Sequence, residues 1–433
     1  MQAWLAWLAL RAYSLLLRLA TPLYFARLWW RGRREPAYRH WWHERLGFSS
    51  AIAEPGRLWL HAVSLGETLA AAPLIDALRA QQPGLRLLLT HGTATGREAG
   101  ALLLRGGDAQ AWLPYDTPGA VRRFLRHHRP ALGVLMETEV WPNLLHAAHA
   151  AGVPMVLANA RLSERSRIKG ERLSALMHPA VACFTQVLAQ SEADAVRLRA
   201  SGASHVQVFG NLKYDITPAP ELLARGKAWR ARLTGLTRLT RTVVLAAVTR
   251  EGEEALLLAA WRRQPEPRPL LLLVPRHPQR FDEVAALVSQ AGFTLARRSA
   301  WTVSPPPEAD TADVWLGDSL GEMALYYATA DVALLGGSFA PLGGQNLIEA
   351  AACGCPLVMG PHTFNFAQAA ERALAAGAAL REPDMAAAVV RALDIIRSTD
   401  KDRMAAQALA FAALHRGAAV GMARQLLVLM KGE

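Results

Sequence analysis

Cysteine, lysine and long uncharged apolar runs are all scarce in this sequence. Cys183, Cys353 and Cys355 are its three cysteines, an odd number, and the Cys353–Cys355 spacing is too close for a zinc or thioredoxin motif. They read as reduced core thiols, which points to the cytoplasm. The thirteen histidines show no metal-ligand spacing, and the P-loop signature with its lysine is missing. No long low-complexity tract interrupts a composition that is 52% hydrophobic and 19% charged, so a disordered chain is excluded. A length of 433 residues exceeds one ordinary core and fits two domains of roughly 150–200 residues with a remainder at one end.

The formal charge is +12, a value that suits nucleic acid, an anionic membrane or an anionic small substrate. Half of it is local. Residues 1–50 hold Arg11, Arg18, Arg27, Arg31, Arg33, Arg34, Arg39 and Arg45 against Glu35 and Glu44, a net +6, together with six of the thirteen tryptophans. Tryptophan and arginine beside aliphatic runs make a membrane-interface composition. From Ala3 to Trp30 the chain is largely apolar, but Arg11, Arg18 and Arg27 cut it into pieces shorter than the roughly 18 uncharged residues of a clear spanning helix. Two readings stand: a signal-anchor helix whose arginines snorkel, or an amphipathic helix in the cytoplasmic leaflet, with Pro22 as a candidate break. A buried helix of the first domain is the plain structural alternative. No small-residue cleavage site follows, so a removed signal peptide is not expected. The basic run Arg31, Arg33 and Arg34 is expected to hold the body on the inside.

After Pro55, short apolar runs alternate with helical patterns, the arithmetic of βαβ units and parallel sheets. Strands are predicted at 57–63, 85–90, 132–136, 153–159, 187–189 and 206–209, with a helix over 67–81 and a glycine-rich turn at 91–96. After a linker at Pro218 and Pro220, a second doubly wound lobe is predicted from strands at 242–247, 269–274, 332–335 and 356–359. The Pro-rich segment 304–307 reads as a surface loop, and the stretch from Met404 as an apolar helix. The resulting division is 1–50, a membrane anchor; 51–217, a first lobe; and 218–433, a second lobe with a terminal helix. Ligands of open parallel sheets bind beyond the carboxyl ends of the strands, so two such lobes are expected to share a cleft lined by strand-end residues.

Three groups of residues meet that requirement. Glu67 closes the run His61-Ala-Val-Ser64-Leu-Gly66-Glu67, where a strand ends and a helix opens. A glutamate there suits a general base within reach of a hydroxyl, although a helix-dipole partner is the plain reading. Glu137 and Glu139 follow the next central strand in Glu137-Thr-Glu139-Val-Trp141-Pro142-Asn143, one facing the cleft and the other a structural partner. Pro142 marks a helix start. Lys213, one of five lysines, lies at the lobe junction, suited to a sugar carboxylate or a leaving phosphate. In the second lobe, Pro275 and Arg276, the Leu320-Gly321-Glu322 turn and the glycine-rich run reaching Asn346, Leu347, Ile348 and Glu349 suit an anionic nucleotide, with Glu349 placed for ribose hydroxyls.

Together these stretches resemble the bacterial 3-deoxy-D-manno-octulosonic acid (Kdo) transferases. The carriers are 61–67, 92–96, 137–143, 159–166, 210–215, 249–254, 275–281 and 336–366, over nearly the whole length. The resemblance implies the GT-B architecture, two Rossmann-like doubly wound α/β lobes, here with an N-terminal membrane-anchoring helix. It implies transfer of Kdo from CMP-Kdo to a tetra-acylated lipid A precursor, lipid IVA, in lipopolysaccharide core biosynthesis, with inversion, no bound metal and no cofactor. By position, Glu67 matches the base, and Glu137 and Lys213 match residues that steady the transition state. Pro275, Arg276, Leu320–Glu322 and Asn346–Glu349 match the CMP-binding loops. The implied partners are CMP-Kdo, the lipid A precursor and anionic inner-leaflet lipid. The implied site is the bacterial inner membrane, with the lobes on the cytoplasmic side. Two positions depart from the family pattern: Gln345 replaces the expected histidine of the loop, and Val248 a small polar residue before Thr249. The alternatives are a GT-B transferase using a UDP-sugar and another membrane lipid, and a basic nucleic-acid-binding protein. The second is disfavoured because half the charge lies in the anchor.

Overall fold

The computed structural model of the chain describes residues 2–33, 35–49, 53–215, 217–235, 241–414 and 416–431. They divide into two compact units, Met1–Asp215 with Arg416–Glu433, and Ile216–His415. Arg34 of the basic run and the 50/51 boundary lie outside the described residues.

The first unit is built on seven strands: β1 (Leu58–His61), β2 (Leu87–His91), β3 (Ala109–Trp112), β4 (Leu132–Met136), β5 (Met155–Ala160), β6 (Gln186–Ala189) and β7 (Val206–Val208). All pair parallel in the order β3-β2-β1-β4-β5-β6-β7. A parallel sheet is covered on both faces, so its strands are near-continuous apolar runs whose residues alternate between two cores. Trp59 packs with Phe124 and Leu135 on one side, while Leu58 and Leu60 pack with Leu74 and Leu78 on the other. The strand order reverses between β1 and β4, which makes the ends of those two strands the topological switch point where ligands bind.

The second unit repeats the plan with β8 (Val243–Thr249), β9 (Leu270–Pro275), β10 (Leu295–Arg297), β11 (Val314–Leu316), β12 (Val332–Leu335), β13 (Leu357–Met359) and β14 (Ala379–Arg381). The order is β10-β11-β9-β8-β12-β13-β14, again all parallel, with its switch point between β8 and β12. The doubly wound expectation holds for both sheets. β3, β10, β11 and β14 were not foreseen. Three of these lie at sheet edges, and their sequences (Ala-Gln-Ala-Trp, Leu-Ala-Arg, Ala-Leu-Arg) carry too little apolar pattern to register.

Helices relevant below are α1 (Gln2–Arg31), α2 (Leu65–Gln81), α3 (Ala94–Ala101), α4 (Pro118–His128) and α5 (Pro142–Ala150). α1 runs through Pro22 without ending, so the candidate break is not one. Trp4, Trp7, Leu16, Leu19, Trp29 and Trp30 on it are exposed, which rules out the buried-helix alternative. Among the described residues no helix is long and apolar enough to cross a membrane. α1 docks on loops after β3 and β4: Tyr24 and Phe25 pack on Tyr115, and Tyr13 and Ser14 bond to Asp116 and Asn143. Residues after it join the first unit firmly. Glu44 is buried, pairs with Arg97 at 2.9 Å and accepts the Trp112 amide at 2.8 Å. The stretch 1–50 is therefore part of the first unit and not a separate domain.

The stretch from Met404 is not one helix either. Asp400–Leu414 belongs to the second unit, whereas Ala418–Lys431 returns to the first, so residues 416–433 leave the lobe to which 218–433 was assigned. The physical reason is an apolar face, Met422, Ala423 and Leu426, that completes the core on Leu58, Leu60 and Leu74. Asp215 fastens its start by accepting the amides of Gly417 and Ala419. The Pro-rich segment is only partly surface: Pro305 is buried and its carbonyl accepts from Arg232. Leu426→Ala is expected to cost the first unit about 3 kcal/mol through the cavity it leaves. Calorimetry should show one transition lowered and the transition of the 216–415 unit unmoved.

Candidate active site

Glu67 sits in the first turn of α2. Ser64 at the N-cap accepts the Glu67 amide at 3.4 Å, and the Glu67 carboxylate accepts the Val63 amide at 2.8 Å and the Ser64 hydroxyl at 3.3 Å. This is a variant of the capping box in which the return bond comes from the amide before the N-cap, so the plain structural reading of Glu67 is partly true. The glycine-rich turn after β2 buttresses it. The Gly92 and Thr93 amides both donate to the Val63 carbonyl, and a Cβ at Gly92 would meet Val63 Cγ1 at 2.7 Å. Nothing crowds Gly66, where a Cβ would find only Ser64 Oγ at 3.9 Å. Glu67 is half-buried, and burial pushes its carboxyl above the ordinary range, helped by the charge of Glu137 and opposed by the Val63 amide, Ser64 and Arg161.

Glu137 follows β4 directly. It is buried, its backbone is left-handed (φ 57°), and its loop is sewn to β5 by its amide donating to the Ala158 carbonyl and the Arg161 amide donating to its own carbonyl. A carboxylate buried there is costly unless paired. Arg161 Nε lies 2.8 Å from Oε2 and Lys213 Nζ 3.4 Å from Oε1. Lys213 is brought there by Asn159, a second left-handed residue (φ 52°), whose side-chain oxygen accepts the Leu212 amide at 3.0 Å and so pins the turn after β7. Glu139 accepts the Trp141 indole N–H at 2.7 Å. Burial first, then the charges of Glu67 and Glu137, push its carboxyl up to about 7, against the pull of Trp141. The structure thus brings Glu67, Glu137 and Lys213 into one cluster at the switch point. It adds Arg161, to which no role had been given, and pairs Glu137 with the two cations while Glu139 is held by Trp141.

In the second unit the strand-end loops sort into supports and open groups. Glu253 is fully buried and accepts the amides of Arg250, Gly337, Phe339 and Ala340 at 2.7–3.3 Å, so the run 249–254 carries the glycine-rich loop from below. Val248 lies at φ 59°, strained for a β-branched residue, and a Cβ at Gly336 would meet its carbonyl oxygen at 2.3 Å. Arg280 is consumed by Glu254 and Glu283. Arg276, just past buried Pro275 at the end of β9, is exposed, and among the described residues its guanidinium has no hydrogen-bond or ion-pair partner. Asn346 caps the helix Leu347–Ala352 by accepting the Ile348 amide at 3.1 Å. Glu349 is half-buried and has no side-chain partner among the described residues, and burial raises its carboxyl. Leu347 and Ile348 are 1% exposed, so their side chains belong to the core and offer a ligand nothing beyond main chain. Glu322 is occupied by Arg298 at 2.9 Å, Arg225 at 3.4 Å and Ser319 at 2.7 Å. This leaves Gly321, at φ 77°, and exposed Leu320 as the open part of that turn. Among the described residues no group of three or more histidines, cysteines or acids is arranged to hold a metal ion.

Two parallel seven-stranded sheets with open groups at their strand ends define a GT-B-like α/β class. Solved structures of that fold include Anabaena Alr3699/HepE in complex with UDP, with a TM-score of 0.56, 15% identity and coverage of 87% of this chain and all of that one. UDP-GlcNAc 2-epimerase from Neisseria meningitidis is similar, with a TM-score of 0.54, 14% identity and coverage of 87% and 99%. Residues 40–216 match the family model described as 3-deoxy-D-manno-octulosonic-acid transferase (kdotransferase). The chain is 49% identical over 94% of its length, and 96% of the relative's, to the 3-deoxy-D-manno-octulosonic acid transferase of Bordetella pertussis. It is 34% identical to that of Haemophilus influenzae, covering 90% and 91%. The chain belongs to the Kdo transferase family of glycosyltransferases.

The raised carboxyls carry a cost in stability. Burial pushes the Glu139 carboxyl from the ordinary 4.5 up to about 7, so the folded state holds its proton more tightly than the unfolded state, and stability is lost as pH rises across that window. Glu139→Gln should therefore be more stable than the natural protein to urea at pH 8, and the gain should shrink to nothing by pH about 4.5.

Proposed function

We propose that this chain transfers Kdo from CMP-Kdo to a tetra-acylated lipid A precursor at the cytoplasmic face of a bacterial inner membrane, in lipopolysaccharide core biosynthesis. The observation that carries the mechanism is Glu67, a half-buried carboxylate with a raised pKa at the β1/β4 switch point beside Glu137. A base works best with a pKa near the operating pH, and burial moves Glu67 toward it. Glu67 takes the proton of the acceptor hydroxyl. That oxygen bonds to the anomeric carbon of Kdo as the bond to the CMP phosphate oxygen breaks, and CMP departs as an anion. Attack on the face opposite the leaving group inverts the anomeric centre.

Lys213, held at Glu137, supplies a cation for the sugar carboxylate or the leaving phosphate. The guanidinium of Arg276 serves the phosphate, the Gly321 turn and the loop before Asn346 offer main chain, and Glu349 accepts ribose hydroxyls. With these groups in place the reaction is proposed to proceed without a bound metal. The exposed tryptophans and leucines of α1, interspersed with Arg11, Arg18 and Arg27, favour attachment to anionic inner-leaflet lipid and so bring the first unit to a membrane-held acceptor.

Transfer from CMP-Kdo to the lipid acceptor in the presence of chelator is expected for the natural protein. Glu67→Ala and Glu67→Gln should each lose about 10²–10⁴-fold in rate while CMP still raises their melting temperature. Near-normal rates in both variants would reduce Glu67 to a helix cap. Absence of product with stabilisation by UDP instead of CMP would overturn the donor.

A further inference from the structure

We infer that Tyr13, Ser14, Asp116 and Asn143 form a latch through which α1 fixes the position of the carboxylate loop Glu137–Trp141, and that they are positioning residues for transfer. The inference rests on the proposed reaction and on four hydrogen-bonded side chains that it does not otherwise use.

α5 starts without a cap of its own. Trp141 occupies the N-cap position and its side chain caps nothing, while Pro142 has no N–H. The next two amides, Asn143 and Leu144, donate to Asp116 at 3.0 and 2.7 Å. Asp116 stands in the loop between β3 and α4, so the cap comes from a distant segment. Its remaining donor is the Tyr13 hydroxyl at 2.9 Å, which comes from α1. The Asn143 side chain is used at both ends. Its amide nitrogen donates to the Asp116 carbonyl at 2.6 Å and its oxygen accepts the Ser14 hydroxyl at 2.8 Å. Asp116, Asn143 and Ser14 are all buried.

A helix that only needed attachment would dock through apolar contacts, because burying polar groups brings a desolvation cost. Midway along α1 the contact is instead polar and fully paired, and such a network specifies one geometry where an apolar seam would allow sliding. The geometry it specifies is the start of α5. Immediately before it stand Trp141 and, held by its indole N–H, Glu139, whose charge is coupled to Glu67. Exposed Leu15, Leu19, Leu23 and Trp30 lie on the opposite side of α1, so the element proposed to meet lipid also sets the loop.

Tyr13→Phe removes only the hydroxyl and tests this directly. Amide exchange at Asn143 and Leu144 should quicken about tenfold, the scale of one lost hydrogen bond to a charged group. With CMP-Kdo and acceptor, kcat should fall about tenfold while KM for CMP-Kdo stays within about twofold. Binding to phosphatidylglycerol–phosphatidylethanolamine vesicles should not change, and the melting temperature should fall by no more than a few degrees. Ser14→Ala should act in the same direction, and Tyr24→Phe, whose hydroxyl has no hydrogen bond among the described residues, should change nothing. Unaltered exchange in both Tyr13→Phe and Ser14→Ala would overturn the latch. So would faster exchange with unaltered kcat, or a kcat loss that merely follows lost vesicle binding. If the natural protein transfers no Kdo, the reaction reading falls separately and exchange alone decides whether α1 holds the loop.

Discussion

A buried carboxylate between two cations organises the first unit. Glu137 lies in the interior at the end of β4, and its pairing with Arg161 and Lys213 obliges three separate strand ends to stop at set places. β5 must turn at Asn159 so that Arg161 returns to Glu137, and the chain after β7 must turn so that Lys213 reaches the other oxygen. Both Glu137 and Asn159 have left-handed backbones, each costing about 1–3 kcal/mol that surrounding contacts must offset. Strain of this kind persists where the neighbourhood over-determines it. Here the neighbourhood is the switch point of the sheet. The second unit uses the same device with other residues: Val248 is left-handed at the end of β8, and Glu253 gathers four amides to hold the glycine-rich loop above it.

The charge balance follows from that arrangement. Glu137 has two cations, whereas Glu67 and Glu139 have hydrogen bonds from neutral groups and the field of other carboxylates. Protons are therefore held more tightly there than in water. That disfavours the folded state at neutral pH and suits a group whose task is to take a proton from an alcohol. Glu349 and Arg276 of the second unit are likewise without side-chain partners among the described residues.

Much of this was legible in the sequence. The two doubly wound sheets follow from alternating apolar runs and helical periods. Glu67, Glu137, Lys213, Arg276 and Glu349 stand out as candidates because each follows an apolar run or opens a helix. Arg161 gained a role only from the structure, and which of Glu137 and Glu139 takes the cations stayed open, since both depend on left-handed backbone at Asn159 and Glu137, which no residue pattern announces. Leu347 and Ile348 stand in the nucleotide loop because the family resemblance carries the whole run Asn346–Glu349. A helix separates neighbours by about 100°, however, and turns those two into the core. The return of Ala418–Lys431 to the first unit was likewise hidden, because an apolar helical face does not say which core it completes.

The central claim is that Glu67 is a carboxylate whose pKa is raised by burial and by Glu137. Carbon-13 NMR titration of glutamate-labelled protein, with Glu67 assigned by the loss of its signal in Glu67→Gln, measures this directly. The account predicts titration of Glu67 above the ordinary glutamate value and a downward shift when Glu137 is replaced by Gln. Titration at the ordinary value, unmoved by Glu137→Gln, would contradict it.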